Sequence, residues 1–243
     1  MSTSGVSTYT ATGTTIINGA LRIVGAVSQG GTPTATQTSE ALEALNLLVK
    51  AFEADGMPLW AISQYSVPLT EGYNSYSIGE SLSVATGNVV IPKPLKVIQC
   101  FLHDANSDID IPVRILTRDE YNRLGNKTST GQPIQIFYEP LRTTGTLHVF
   151  PSPDSYSESN CTLVIVYQRP YEDVSVVGND LDFPQEWFEA VKFGLANVLA
   201  PEYGVEITHR NDIRSRAKET KDTALGFGTE EGSLYFGVDS REW

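Results

Sequence analysis

Apolar residues recur every three or four positions in two segments near the start of the chain. The repeating positions are Ile16, Ile17, Ala20, Leu21 and Val24 in the first segment, and Leu42, Leu45, Leu48, Val49 and Phe52 in the second. That spacing puts the apolar side chains of a segment on one face of a helix, so it predicts two amphipathic helices. Thr14 or Thr15 is the expected N-cap of the first helix, and Gly25 is expected close to its end.

From about Ser63 to Val177 the pattern changes to short β-type runs separated by Gly, Pro, Asn and Ser. Such runs predict strands joined by turns, and together they predict an antiparallel β-domain. One helical turn is expected among them, because Thr117 and Glu120 have the spacing of a capping box. The clearest strand-like runs are 96–102, 110–116, 134–138, 146–150 and 163–168.

Helical spacing returns after Pro184 and predicts two more helices. The apolar positions of the first are Trp187, Phe188, Val191, Leu195, Val198 and Leu199. The second helix, about 206–225, is highly charged, and its apolar stripe consists of Ile213, Ala217 and Ala224. A helix with so thin an apolar stripe needs a neighbour to stay folded.

Residues 226–243 combine four glycines with four aromatic residues. This composition is too aromatic for a simple solvating tail and predicts an extended docking arm. The order of helices, strands and helices predicts an α+β protein in which a β-domain is inserted into a helical bundle. The expected parts are residues 1–60 and 181–225 for the bundle, 61–180 for the inserted β-domain and 226–243 for the arm.

The net charge narrows the class of function. The chain has 17 Lys and Arg against 29 Asp and Glu, so its formal net charge is −12. Binding to phosphates needs clustered Lys and Arg, so this charge argues against a general nucleic-acid binder. Cys100 and Cys161 lie far apart in apolar runs and predict buried free thiols. The first dozen residues show neither the basic nor the apolar region of a secretory signal, so we expect the protein to mature in a reducing cytosol. The apolar stretches are too short to cross a bilayer, so we expect no membrane role.

No residue pattern indicates a metal or cofactor site. His103, His148 and His209 fall in different predicted elements, without partners at the spacing of metal ligands. Residues 104–110 match the first ligands of a calcium loop, but the sixth position is Ile109 where the sharp turn needs glycine. We therefore expect a polar hairpin turn at 104–110, no metal and no cofactor.

No residue pattern indicates a catalytic site either. Asp182, Glu186 and Glu189 cluster at the start of a predicted helix, where the helix dipole favours acidic residues. The same carboxylates could serve as the acid and nucleophile of a glycosidase. We expect no enzyme, because the position of these acids at a helix start explains them without catalysis.

Four cations follow one face of the last predicted helix. They are Arg210, Arg214, Lys218 and Lys221. This face could meet an acidic partner surface or, less readily, a phosphate backbone. It could equally be a solvated face, because Glu206 and Asp212 lie four residues before Arg210 and Arg216 and can pair with them.

Three groups of motifs occur in order along most of the chain. The early group is Ile16-Ile17-x3-Leu21-Arg22-x2-Gly25, Ala41-x3-Leu45-Asn46-x3-Lys50 and Asp55-Gly56-Met57-Pro58-Leu59-Trp60. The central group is Tyr121-Asn122-x-Leu124-x-Asn126-Lys127-x3-Gly131-x-Pro133, Tyr138, and Gly145-x-Leu147 before Pro151-Ser152-Pro153. The last group is Pro184-x2-Trp187-x2-Ala190, Leu195-Ala196 and Pro201-x2-Tyr203-Gly204. Their order and spacing resemble those of the head-to-tail adaptor family of short-tailed phages, also called tail tubular A-like or head-completion proteins.

The resemblance implies a structural subunit of the virion neck, assembled in the cytoplasm of the bacterial host. Such subunits form a dodecameric ring that joins the capsid portal to the tail nozzle, and DNA passes through the ring without specific binding. The implied partners are other copies of the chain, the portal protein and the nozzle protein. In this family the C-terminal arm climbs onto the portal. Carried over to this chain, the portal-binding anchors are Phe227, Tyr235, Phe236 and Trp243.

Two other interpretations of the chain stay open beside the adaptor. One is a tail-associated enzyme that degrades peptidoglycan with Glu186 or Glu189. The other is a monomeric carbohydrate-binding module, which would leave the helices and the arm without a purpose.

Overall fold

The computed structural model describes residue 5, residues 8–55 and residues 59–227. In this part of the chain, six α-helices and two β-sheets form a mixed α+β protein, as the sequence predicted. The chain divides into two compact units. The helical unit holds the described residues of 1–59 and 173–243, and the β-unit holds residues 60–172. None of the helices in the described part is long and apolar enough to cross a membrane.

Four helices belong to the helical unit, and two short ones belong to the β-unit. In chain order they are α1 (Gly13–Val24), α2 (Ala35–Asp55), α3 (Arg118–Asn122), α4 (Ser155–Asn160), α5 (Phe188–Leu199) and α6 (Ile207–Phe227). The helices α1, α2 and α6 all pack against α5, which is therefore the centre of the helical unit. A Cβ atom at Gly194 of α5 would lie 3.1 Å from the Leu48 side chain and 3.2 Å from that of Phe52. Glycine at this position thus lets α2 approach α5 closely.

The start of α1 differs from the prediction, which named Thr14 or Thr15 as its N-cap. Thr12 is the cap, because its hydroxyl accepts the backbone N–H of Thr15. Thr14 instead donates its hydroxyl to the carbonyl of Val177 at 2.8 Å. A contact distant in sequence has therefore taken the side chain that the local pattern assigned to the cap.

The boundary between the units lies after Glu172, whereas the predicted insert ran to residue 180. Residues 173–181 are held by the N-terminal part of the helical unit. Asn46 of α2 bonds the backbone of Val174 twice, and the Leu181 N–H donates to the Ala11 carbonyl at 3.2 Å. These hydrogen bonds place the segment in the helical unit.

Nine strands form two sheets in the β-unit. They are β1 (Ile62–Pro68), β2 (Ser75–Ile78), β3 (Asn88–Val89), β4 (Lys96–Asp104), β5 (Ile109–Pro112), β6 (Arg114–Ile115), β7 (Gln135–Pro140), β8 (Gly145–Phe150) and β9 (Cys161–Gln168). The first sheet has the order β1-β9-β4-β5, and the second has the order β3-β2-β8-β7-β6. The sheets are antiparallel as predicted except for two short parallel pairs, β2 with β3 and β6 with β7.

The predicted strand 110–116 is wrong as a single element, because the chain changes sheets within it. The N–H of Val113 donates to the carbonyl of Cys100 in β4, and the N–H of Arg114 donates to that of Ile134 beside β7. Val113 itself is buried in the core. Cys100 and Cys161 are buried free thiols, which confirms that prediction, and burial raises the pKa of Cys100 to about 12.

Candidate functional site

The helix α6 presents a basic surface on an otherwise acidic chain. Its buried residues are Ile213, Ala217 and Ala224, and α6 packs on α5. It carries five Lys and Arg against three Asp and Glu, a net charge of +2, while the whole chain carries −12. A helix of 21 residues that buries three of them leaves most of its surface for solvent or for a partner.

Three of the four cations that the sequence placed on one face of this helix lie on its exposed surface. Arg210, Arg214 and Lys218 are exposed, and within the described residues their side chains form no ion pair or hydrogen bond. They lie four residues apart, so they follow one edge of the helix. Their charges are therefore exposed along that edge.

The fourth cation, Lys221, has an internal role. Its ammonium group forms an ion pair with Asp55 at the end of α2 and lies 5.0 Å from the ring centroid of Phe52. This arrangement covers an aromatic face with the lysine and ties α6 to α2. Of the four cations that the sequence suggested for a partner, Arg210, Arg214 and Lys218 therefore keep exposed charges, whereas Lys221 stabilises the packing of α6 on α2.

Arg216 also pairs across the fold as well as along its own helix. Its guanidinium contacts Glu189 of α5 at 3.4 Å and Glu219 at 3.8 Å, and it lies 5.8 Å from the Phe193 ring centroid. Asp212, the partner expected from sequence spacing, forms no ion pair with it in the described structure. Arg216 contacts Glu189 in preference to Asp212, because at Glu189 its guanidinium meets both a carboxylate and the aromatic face of Phe193.

The predicted portal-binding anchors fall mostly beyond the described chain. Phe227 is the last residue of α6, and 75% of its surface is exposed. An exposed aromatic side chain at the end of a helix is a ready contact for a partner. Tyr235, Phe236 and Trp243 lie outside the described residues.

Glu189, one of the carboxylates considered for a glycosidase, lies among basic side chains. Glu189 borders a cavity of about 580 Å³ between α1 and α5, and it is the one acidic residue among the described residues that line this cavity. The basic side chains Arg22 and Lys192 line it too. The Glu189 carboxylate is paired with Arg216 at 3.4 Å.

The three histidines have separate structural partners. His103 pairs with Asp110 at 2.8 Å, and the His209 ring is 2.9 Å from the carbonyl oxygen of Ile23. His148 lies 3.3 Å from the hydroxyl of Ser75. Among the described residues, no group of three or more His, Cys, Asp and Glu side chains is placed to hold a metal ion.

Residues 105–108 form the turn between β4 and β5, so the segment 104–110 is a hairpin, as predicted. Asp104 closes the turn, because its carboxylate accepts the Asn106 N–H at 2.9 Å and the Tyr156 hydroxyl at 3.0 Å. A hydrogen bond from Ser107, together with these two bonds, lowers the pKa of Asp104 despite partial desolvation. The carboxylate that resembled the first calcium ligand is thus used by the turn itself.

A cluster of aromatic rings in the β-unit was not foreseen from the sequence. Tyr121, Phe137 and His148 stack on one another with ring centroids 4.9 to 5.7 Å apart. Arg118 lies 5.4 Å from the Phe137 centroid and bonds Glu139 at 2.8 Å, which lowers the pKa of that carboxyl. The capping box of α3 is the local sequence feature that predicted the helix of Tyr121. The pairing of β7 with β8 places Phe137 beside His148, and local spacing does not predict that pairing.

Comparison with known proteins identifies no matching family model and no matching curated sequence. A basic helix edge, an exposed aromatic residue at the end of that helix and a well-packed core beneath it are suited to binding a protein partner.

Proposed function

We propose that this chain is a non-catalytic subunit of a head-to-tail adaptor ring in a short-tailed phage. The observation that carries the proposal is the exposed edge of α6, where Arg210, Arg214 and Lys218 are available to a partner on a chain of net charge −12. A monomer gains little from keeping three adjacent cations that pair with none of the described acidic residues. An assembly subunit gains both attraction and specificity from them.

The motifs that resemble the adaptor family also have defined roles in this fold. Ile17 and Leu21 are fully buried in α1, and Gly25 ends that helix with a positive φ of 79°. Trp187 packs against Phe52 with ring centroids 5.9 Å apart. These residues of the early and last motif groups thus belong to the helical unit, which the resemblance would assign to the ring.

The ring would guide DNA without holding it. Twelve copies multiply the acidic charge of each chain, and acidic side chains around a channel repel the phosphate backbone. The isolated protein should therefore not retard double-stranded DNA in a gel at moderate salt. Strong retardation under those conditions would contradict a passive channel.

The proposal is tested by negative-stain imaging of the full chain mixed with the cognate portal protein. We expect a ring of density below the portal. A variant that ends at Leu225 lacks Phe227 and the three other predicted anchors, and we expect it to leave the portal bare. A bare portal with the full chain would refute the adaptor function, whereas a ring with the truncated chain would refute the role of the anchors.

The enzyme alternative is tested with the same preparations. A double variant, Glu186→Gln with Glu189→Gln, should assemble on the portal as the unmodified chain does, and neither protein should cleave peptidoglycan. Cleavage by the unmodified chain that the double variant lacks would instead support the enzyme.

A further inference from the structure

The outer side of α2 carries an apolar groove next to residues 173–175. The groove has a volume of about 460 Å³. Leu42 and Leu47 of α2 and Val174 of the adjoining segment supply its apolar surface. Leu47 is 66% exposed, whereas Val174 is buried. An exposed leucine beside a groove of this size is a site that another side chain can cover.

The groove is held in shape by its own hydrogen bonds. Asn46 donates to the Val174 carbonyl at 3.1 Å and accepts the Val174 N–H at 2.9 Å. Lys50 bridges Asp173 at 2.9 Å and Glu53 at 3.3 Å. Burial lowers the pKa of Lys50, but these two carboxylates outweigh it, and the net pKa is raised. A preformed groove binds a partner without first having to be ordered.

The charge around the groove is opposite to that of α6. The helix α2 and residues 173–182 together contain seven Asp and Glu against the single cation Lys50, a net charge of −6. Glu43 and Asp173 lie among the residues that line the groove. Glu43 is exposed, and within the described chain it forms no ion pair. The groove therefore fits a partner with an apolar side chain flanked by cations.

The first two turns of α6 have this pattern. Ile207 is 66% exposed, and Arg210 and Arg214 follow it three and seven residues later on the same edge of the helix. We propose that the α2 groove of one copy receives the Ile207–Arg214 edge of α6 from a second copy. Ile207 covers Leu47, and the two arginines meet Glu43 and Asp173. This inference rests on the proposed function, because it names the contact that joins neighbours in the ring.

The contact is heterologous, since a different surface of each copy takes part. A pair of copies keeps one free groove and one free α6 edge, so the contact continues from copy to copy until a ring closes. A second copy is favoured over an unrelated partner because the apolar and charged features of the two surfaces match within a single chain.

The experiment uses two charge reversals in the full chain, Arg214→Glu and Glu43→Arg. Each variant alone places like charges across the contact, so we expect self-association at least about tenfold weaker than that of the unmodified chain. Association is measured by sedimentation velocity over a range of concentrations, with and without the cognate portal protein.

A mixture of the two variants restores opposite charges at every contact. Where the groove of the Glu43→Arg chain receives α6 of the Arg214→Glu chain, the introduced arginine faces the introduced glutamate. At the next contact along the ring, the native Arg214 of one chain faces the native Glu43 of the other. We therefore expect the mixture to assemble as the unmodified chain does.

The matched control is Arg142→Glu, which reverses an exposed charge in the β-unit and should leave association unchanged. A folding defect in either variant would persist in the mixture, so restoration on mixing separates the contact from stability. Unchanged association of both single variants, or no restoration on mixing, would overturn this inference while leaving the ring intact. An unmodified chain that stays monomeric alone and leaves the portal bare would instead refute the proposed function.

Discussion

Replacing Gly145 by alanine tests how closely the second sheet of the β-unit is packed. A Cβ atom at this position would lie 2.3 Å from the hydroxyl oxygen of Tyr138 and 2.5 Å from a carbon of its ring. Tyr138 is 8% exposed, and its hydroxyl donates to the carbonyl of Pro94 at 2.7 Å. This hydrogen bond holds the ring in place, so a shift of the ring away from the new methyl group strains or breaks it.

The expected cost follows from two contributions. Forcing an extra methyl group into a packed site costs about 1–3 kcal/mol. Leaving a buried carbonyl such as that of Pro94 without its donor costs about 1–3 kcal/mol. A partial shift of the Tyr138 ring reduces the steric overlap but weakens the hydrogen bond to Pro94, so the two costs do not add in full. We therefore expect Gly145→Ala to lower the free energy of unfolding of the β-unit by about 2–4 kcal/mol.

Amide hydrogen exchange measures the loss of stability within the β-unit itself. Backbone amides in peptides that cover β7 and β8 should exchange about 30 to 700 times faster in the variant, since about 1.4 kcal/mol corresponds to a factor of ten. The matched control is Gly125→Ala, because a Cβ atom there meets nothing within 4 Å. Unchanged exchange in Gly145→Ala would refute the reasoning. So would an equal cost of Gly145→Ala in a Tyr138→Ala background, where the obstacle is absent.

Three further predictions concern other parts of the chain. Asn46→Ala removes both hydrogen bonds to Val174, so it should lower the thermal unfolding temperature of the helical unit and destabilise it by about 1–3 kcal/mol. Hydrogen bonds from Ser157 lower the pKa of Asp154, so the ionised carboxylate stabilises the fold fully above its unfolded pKa of about 4. This stabilisation is lost as the pH falls through the folded pKa, so the difference in unfolding free energy between the unmodified chain and Asp154→Asn should shrink in that range. Both cysteines are buried, and Cys100 has a pKa of about 12, so a thiol reagent at a pH of about 8 should label neither until denaturant is added. Rapid labelling of the folded chain would contradict that burial.

The elements that depend on neighbours in sequence were determined by the sequence alone. Ile16 to Val24 form the apolar face of α1, and Gly25 ends the helix in the left-handed conformation. Thr117 and Glu120 form both hydrogen bonds of a capping box at the start of α3. These features follow from spacing, because the interacting groups lie within one helical turn of each other.

The basic face of the candidate site was also visible in the sequence, but the availability of its charges was not. Helical periodicity places Arg210, Arg214, Lys218 and Lys221 on one side of α6 whatever surrounds it. The tertiary structure assigns Lys221 to Asp55 of α2, 166 positions earlier in the chain. No spacing within α6 contains that information, because the partner arrives only when the two helices pack on α5.

The tertiary structure likewise decided where the two units separate and where the groove lies. Residues 173–181 carry no local signal that distinguishes them from the β-type runs before them. They join the helical unit because Asn46 and the start of α1 satisfy their backbone groups. Local spacing thus determined five of the six described helices, all but α4, and the strands β4, β7, β8 and β9. Contacts between distant residues decided the other strands, the groove beside α2 and which cations of α6 pair within the described chain.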